Sequence, residues 1–124
     1  MYRILIIDDD EMQLKLLSST LASEGYQIYA TADGPQGIFI FKNQMPDLVL
    51  LDIGLPSMSG LEVLREIREL DPNAKIIVIT GYGSVESVVL TIRSGACDFI
   101  HKPYNVEMLL KKIESTLNAS SSIS

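Results

Sequence analysis

Five short runs of large apolar residues recur along the chain, and the stretch between each pair is long enough for one helix. They are Arg3 to Ile7, Gln27 to Ala30, Leu48 to Leu51, Lys75 to Ile79 and Asp98 to His101. Most are continuous where a half-exposed strand would alternate, which predicts strands covered on both faces. The intervening stretches carry helical spacing. Val85, Val88, Val89 and Ile92 form one stripe; Val106, Leu109, Leu110, Ile113 and Leu117 form another; Leu14, Leu17, Leu21 and Leu61, Leu64, Ile67 give two more. Gly25, Gly95 and the pair Asp71-Pro72 follow the ends of three of these helices, where glycine permits a left-handed cap and proline cannot continue the helix. Pro35 to Asn43 is the ambiguous element. Ile38-Phe39-Ile40-Phe41 suits a strand, but Asp33 and Pro35 read as a helix start, and we assign helix. Five βα repeats predict an α/β fold, a doubly wound five-stranded parallel sheet with right-handed crossovers and helices on both sides.

A chain of 124 residues has room for one such domain. The formal charge of −6 and the lack of a basic stripe argue against nucleic-acid binding. The apolar runs are too short to cross a bilayer, and Met1-Tyr2-Arg3 opens directly into the first, so no signal peptide is expected. A single cysteine, Cys97, forms no internal disulfide, which fits the cytoplasm, and it is expected to pack as a small hydrophobe. We assign residues 1–118 to the domain and 119–124 to a polar tail or the start of a linker.

In doubly wound sheets ligands sit beyond the carboxyl ends of the strands. Asp8-Asp9-Asp10-Glu11 follow the first strand, Asp52 the third, Thr80-Gly81 the fourth and Lys102-Pro103 the fifth. Singly, each has a structural explanation: the acidic run could cap a helix, and Asp52 could serve a turn before Pro56. Together, carboxylates converging on one crevice repel each other unless a cation neutralises them. With no His or Cys cluster on offer, the oxygen donors favour Mg²⁺ over zinc or copper. A few-ligand Mg²⁺ site beside a lysine and a hydroxyl suits phosphoryl chemistry, and a carboxylate nucleophile needs no base. His101, the sole histidine, should point away from Lys102 by strand alternation and reads as a surface residue.

These residues also carry a resemblance. Over about Tyr2 to Leu117 the chain resembles the receiver domain of two-component response regulators. The match rests on Ile4-Leu5-Ile6-Ile7-Asp8-Asp9-Asp10, on Pro46 to Pro56 with Ser59-Gly60, on Ile79-Thr80-Gly81, and on Gly95-Ala96 leading to Lys102-Pro103. It implies a flavodoxin-like (βα)5 three-layer sandwich with strand order 2-1-3-4-5. It further implies that Asp52 accepts a phosphoryl group from a phosphohistidine of a sensor histidine kinase or histidine phosphotransfer protein. Asp8, Asp9, Asp52 and the Gly54 main-chain carbonyl would hold Mg²⁺. Lys102 would pair with Asp52 and then the phosphate, Thr80 would move to bond a phosphate oxygen, and Phe99 would turn inward as the switch aromatic. The Lys102-Pro103 bond would be cis.

By the same resemblance the surface of the fourth helix, fifth strand and fifth helix, roughly Ser84 to Ser94, Asp98 to His101 and Val106 to Leu117, would dock an output domain, a target or a second copy. Such a protein is a switch and not an enzyme, with at most self-phosphorylation from small donors and autodephosphorylation. Gly54 and Gly81 are bare and should leave Asp52 open. Two other readings compete: an aspartate-nucleophile phosphohydrolase, for which 124 residues leave no cap, and a receiver-like module that is never phosphorylated.

Overall fold

The computed structural model describes residues 1–53, 60–81 and 85–119. Five strands alternate with five helices: β1 (Arg3–Ile7), α1 (Glu11–Ser23), β2 (Gln27–Thr31), α2 (Gly34–Gln44), β3 (Leu48–Asp52), α3 (Gly60–Leu70), β4 (Ile76–Thr80), α4 (Val85–Arg93), β5 (Asp98–His101) and α5 (Val106–Asn118). All neighbouring strands are parallel, in the order β2-β1-β3-β4-β5.

Strand alternation sorts the apolar residues onto two cores. Leu5, Ile7, Val49, Leu51, Ile76 and Val78 face Ile38 and Phe41 of α2 and Val63, Leu64 and Ile67 of α3. Ile4, Ile6, Leu48, Leu50, Ile77, Ile79 and Ile100 face Leu17 and Leu21 of α1 and Leu109, Ile113 and Leu117 of α5. Continuous apolar strands are thus needed because both faces are covered. Each fully buried Ile or Leu stabilises the fold by roughly 1.5–3 kcal/mol, so these two layers dominate its stability.

The ambiguous segment is helical. Asp33 caps α2 by accepting from the Gln36 N–H at 2.8 Å, Pro35 occupies the first turn, and Met45 ends the helix in the left-handed region at φ 46°. Gly25 and Gly95 have φ of +96° and +113°, the left-handed conformation expected after α1 and α4. Cys97 departs from expectation: it is exposed. It stands just before β5, an edge strand, and only its backbone is engaged, its N–H donating to the Ile76 carbonyl at 2.7 Å. The stripe on α4 also departs. Val89 and Ile92 are exposed, while Thr91 is completely buried. No helix among the described residues is long and apolar enough to cross a membrane.

Candidate functional site

Ile7 of β1 is level with Leu51 of β3, so the next residues, Asp8 and Asp52, reach the carboxyl edge of the sheet side by side. Both are nearly buried, at 2% and 7% exposure. Asp9 is exposed, yet one oxygen from each of Asp8, Asp9 and Asp52 lies within 4.8 Å of the others. Lys102 reaches in from the end of β5: its Nζ is 3.3 Å from Asp8 Oδ2 and 3.4 Å from Asp52 Oδ2. Three carboxylates against one ammonium leave negative charge uncompensated.

The acidic run divides its labour. Asp10 is the N-cap of α1, accepting from the N–H groups of Met12 and Gln13 at 3.0 and 3.3 Å. The Asp10 N–H in turn donates to Asp8 Oδ1 at 2.9 Å and holds that carboxyl in place. Burial pushes the Asp8 carboxyl up to about 6; the Asp10 N–H opposes that shift, the nearby Asp52 charge adds to it, and Lys102 opposes it. For Lys102 burial works against the charged form, but Asp52 and Asp8 overcome it and raise its pKa, so the ammonium stays protonated.

Thr80 ends β4 fully buried, and its carbonyl accepts from the Lys102 N–H at 2.8 Å. The Lys102-Pro103 peptide is cis, as expected. Phe99 is half-buried against the core of α2 and α3 and meets the exposed His101 ring edge-on at 6.0 Å between centroids. His101 Nδ1 lies 2.8 Å from the Lys102 carbonyl oxygen and takes no part in the acidic cluster. Gly81 is exposed, and a Cβ there would stand 3.7 Å from the Lys102 Cβ, so the lysine stem flanks this position. Gly54 lies outside the described residues.

Sequence reasoning missed two neighbours. Gln13, Lys102, Pro103 and Tyr104 line a cavity of about 400 Å³ beside the cluster, and the Tyr104 hydroxyl donates to Gln13 Oε1 at 3.4 Å. Burial raises the Tyr104 pKa, which keeps that hydroxyl a donor. No motif signals this pair; only the turn after Pro103 brings it to α1.

The response regulator receiver domain model matches residues 4–114, a span that takes in the whole cluster at the strand ends. The chain belongs to this family. The receiver is 37% identical to the chemotaxis protein CheY of Bacillus subtilis over 94% of this chain and 98% of that one. It is 33% identical to the regulatory protein AtoC of Escherichia coli over 96% of this chain, but spans only 26% of that protein. Among solved structures, the response regulator protein TrrA from Thermotoga maritima in complex with Mg²⁺-BeF superimposes with a TM-score of 0.85 and 37% identity, covering 94% of this chain and 99% of that one. The protein is therefore a receiver domain of the two-component response regulators, a class of regulatory switch.

Proposed function

We propose that Asp52 is the phosphoacceptor, and that Asp8, Asp9 and Asp52, with the Gly54 carbonyl, hold Mg²⁺. The observation that carries this reading is the convergence of the three carboxylates, two of them paired with Lys102. A donor set of carboxylate oxygens with surplus negative charge fits a hard divalent cation. The Mg²⁺-BeF complex of the similar TrrA protein supports the same assignment. Bound there, the ion supplies charge neutralisation for phosphate oxygens.

The chain's own residues do the rest. An Asp52 carboxylate oxygen attacks phosphorus, the P–N bond of a phosphohistidine breaks, and the imidazole leaves with the electron pair. Lys102, already between Asp8 and Asp52, pairs with the new phosphate. Thr80 turns its hydroxyl to a phosphate oxygen, and Phe99, half-buried now, moves into the space vacated. Contacts made only in that arrangement shift the population toward it. Pro103 sets the turn that follows Lys102.

The donor is a sensor histidine kinase or histidine phosphotransfer protein in the cytoplasm, with small phosphodonors able to substitute. Val89, Leu90 and Ile92 of α4 and Val106 and Met108 of α5 are exposed apolar residues, which supports docking of an output domain, a target or a second copy on the α4-β5-α5 face. Residues 1–118 form the switch, and 119–124 begin a tail or linker.

The test is intact mass after acetyl phosphate with Mg²⁺. One added phosphoryl group on the wild type, absent in Asp52→Asn and in the presence of chelator, is the expected result. Stoichiometric labelling of Asp52→Asn would overturn the acceptor assignment.

A further inference from the structure

The last turn of α5 has one backbone bond to close its carbonyl end, the long 3.4 Å bond from the Ala119 N–H to the Thr116 carbonyl. It contains no basic residue, and the residue that follows, Ala119, is extended at φ −64° and ψ 125° instead of a left-handed glycine. A helix C-terminus leaves unpaired carbonyls and a partial negative charge. The missing cation arrives from elsewhere in the fold. Lys75, immediately before β4, donates from Nζ to the carbonyls of Leu117 and Ala119, both at 3.1 Å, across 42 and 44 residues of sequence.

This choice of partners is informative. Lys75 lines a cavity of about 280 Å³ with Asp47 and Asp71, at the end of the sheet opposite Asp52. It forms an ion pair with neither; the ion pairs among the described residues are those of Lys102 and Lys112. A half-buried lysine beside two carboxylates has instead both its bonds on backbone oxygens that bracket the end of a helix.

We propose that Lys75 is a positioning residue that fixes where the chain leaves the domain. Its ammonium ties the end of α5 to the start of β4, so that whatever follows Ala119 departs from one anchored point. β4, which starts at the next residue, carries Thr80 at its other end. The clamp does not depend on Asp52 being phosphorylated and stands or falls separately from that assignment.

Amide hydrogen exchange on the full chain tests it, comparing wild type with Lys75→Met, Lys75→Gln and Lys75→Arg. In Lys75→Met, exchange of the last-turn amides from Thr116 to Ala119 should accelerate about fivefold, as expected for losing one cation at a helix C-terminus. Lys75→Gln, which keeps a donor without the charge, should fall between, and Lys75→Arg should restore protection. Labelling of the chain by acetyl phosphate should be the same in all four. Unchanged exchange at 116–119 in Lys75→Met would overturn the proposal. So would acceleration spread evenly over β4 and α5, which would make Lys75 a general support of the fold.

Discussion

The Lys102 ammonium lies 3.3 Å from Asp8 Oδ2, as close to this carboxylate as to that of Asp52. Lys102 therefore occupies charge that a divalent cation would otherwise use. Replacing it by methionine keeps the stem and removes the competing cation. Lys102→Met should bind Mg²⁺ about tenfold more tightly at pH 8, equivalent to ~1.4 kcal/mol, while accepting phosphate more slowly. Calorimetric titration and the labelling time course measure the two effects, and unchanged or weaker Mg²⁺ binding would contradict the competition.

Asp8 gives the metal-free protein an unusual pH dependence. Its carboxyl is raised from 3.8 to about 6, so the folded state holds its proton more tightly than the unfolded chain does. Below about pH 4 both states are protonated and nothing is lost. As pH rises from 4 to 6 the unfolded chain releases its proton first and stability falls. Above 6 the full penalty applies, on the order of 2–3 kcal/mol. Asp8→Asn keeps an oxygen for the Asp10 N–H and removes the charge. Its urea midpoint without metal should exceed wild type at pH 7.5 and converge with it at pH 4; a midpoint below wild type at pH 7.5 would refute the assignment.

Most of the fold was legible because the strands are buried on both faces and so are apolar at every position. Strand limits moved by one residue where a polar group ends a strand: Thr31, Asp52 and Thr80 belong to their strands, and Lys75 does not. The face of α4 was not legible. Val85-Glu86-Ser87-Val88-Val89-Leu90-Thr91-Ile92 is apolar on several sides, so periodicity could not decide between Thr91 and Val89 for the interior. Cys97 is exposed although its residue type favours burial, because it stands in the connection just before the edge strand β5, where the neighbouring Ala96 takes the interior position. The site's acidic members were legible from their place after strands. Tyr104 and Gln13 were not, since their contact depends on the path of one turn.

Two glycines near Asp52 should respond oppositely to a methyl group. At Gly81 a Cβ would meet Lys102 Cβ and Cδ at 3.7 and 4.0 Å, ordinary contact, and φ is not in the left-handed region. Gly81→Ala should be stabilising by about 0.4–1 kcal/mol through the unfolded chain. At Gly60 a Cβ would run into the Ile53 Cα and lie 2.8 Å from the Asp52 carbonyl oxygen. Only glycine lets α3 begin against the end of β3, so Gly60→Ala should cost about 1–3 kcal/mol and disturb the Asp52 backbone. Denaturant midpoints of the two variants check this; destabilisation by Gly81→Ala equal to that of Gly60→Ala would contradict it.

The three consecutive aspartates can be separated because each meets a different demand. Asp10 caps α1 and lies outside the metal cluster, so Asp10→Ala should lose about 1 kcal/mol of stability while Mg²⁺ affinity changes little. Asp9 is exposed and belongs to the cluster, so Asp9→Ala should leave stability within about 0.5 kcal/mol of wild type or raise it, yet weaken Mg²⁺ binding at least tenfold. Asp8→Asn should do both, stabilising the metal-free form at neutral pH and abolishing tight Mg²⁺ binding. Urea unfolding without metal and titration with Mg²⁺ give each variant two coordinates. Were Asp9→Ala to retain wild-type affinity, an exposed carboxylate near the cluster would be only a neighbour, and Asp8 and Asp52 would have to supply the side-chain ligands alone.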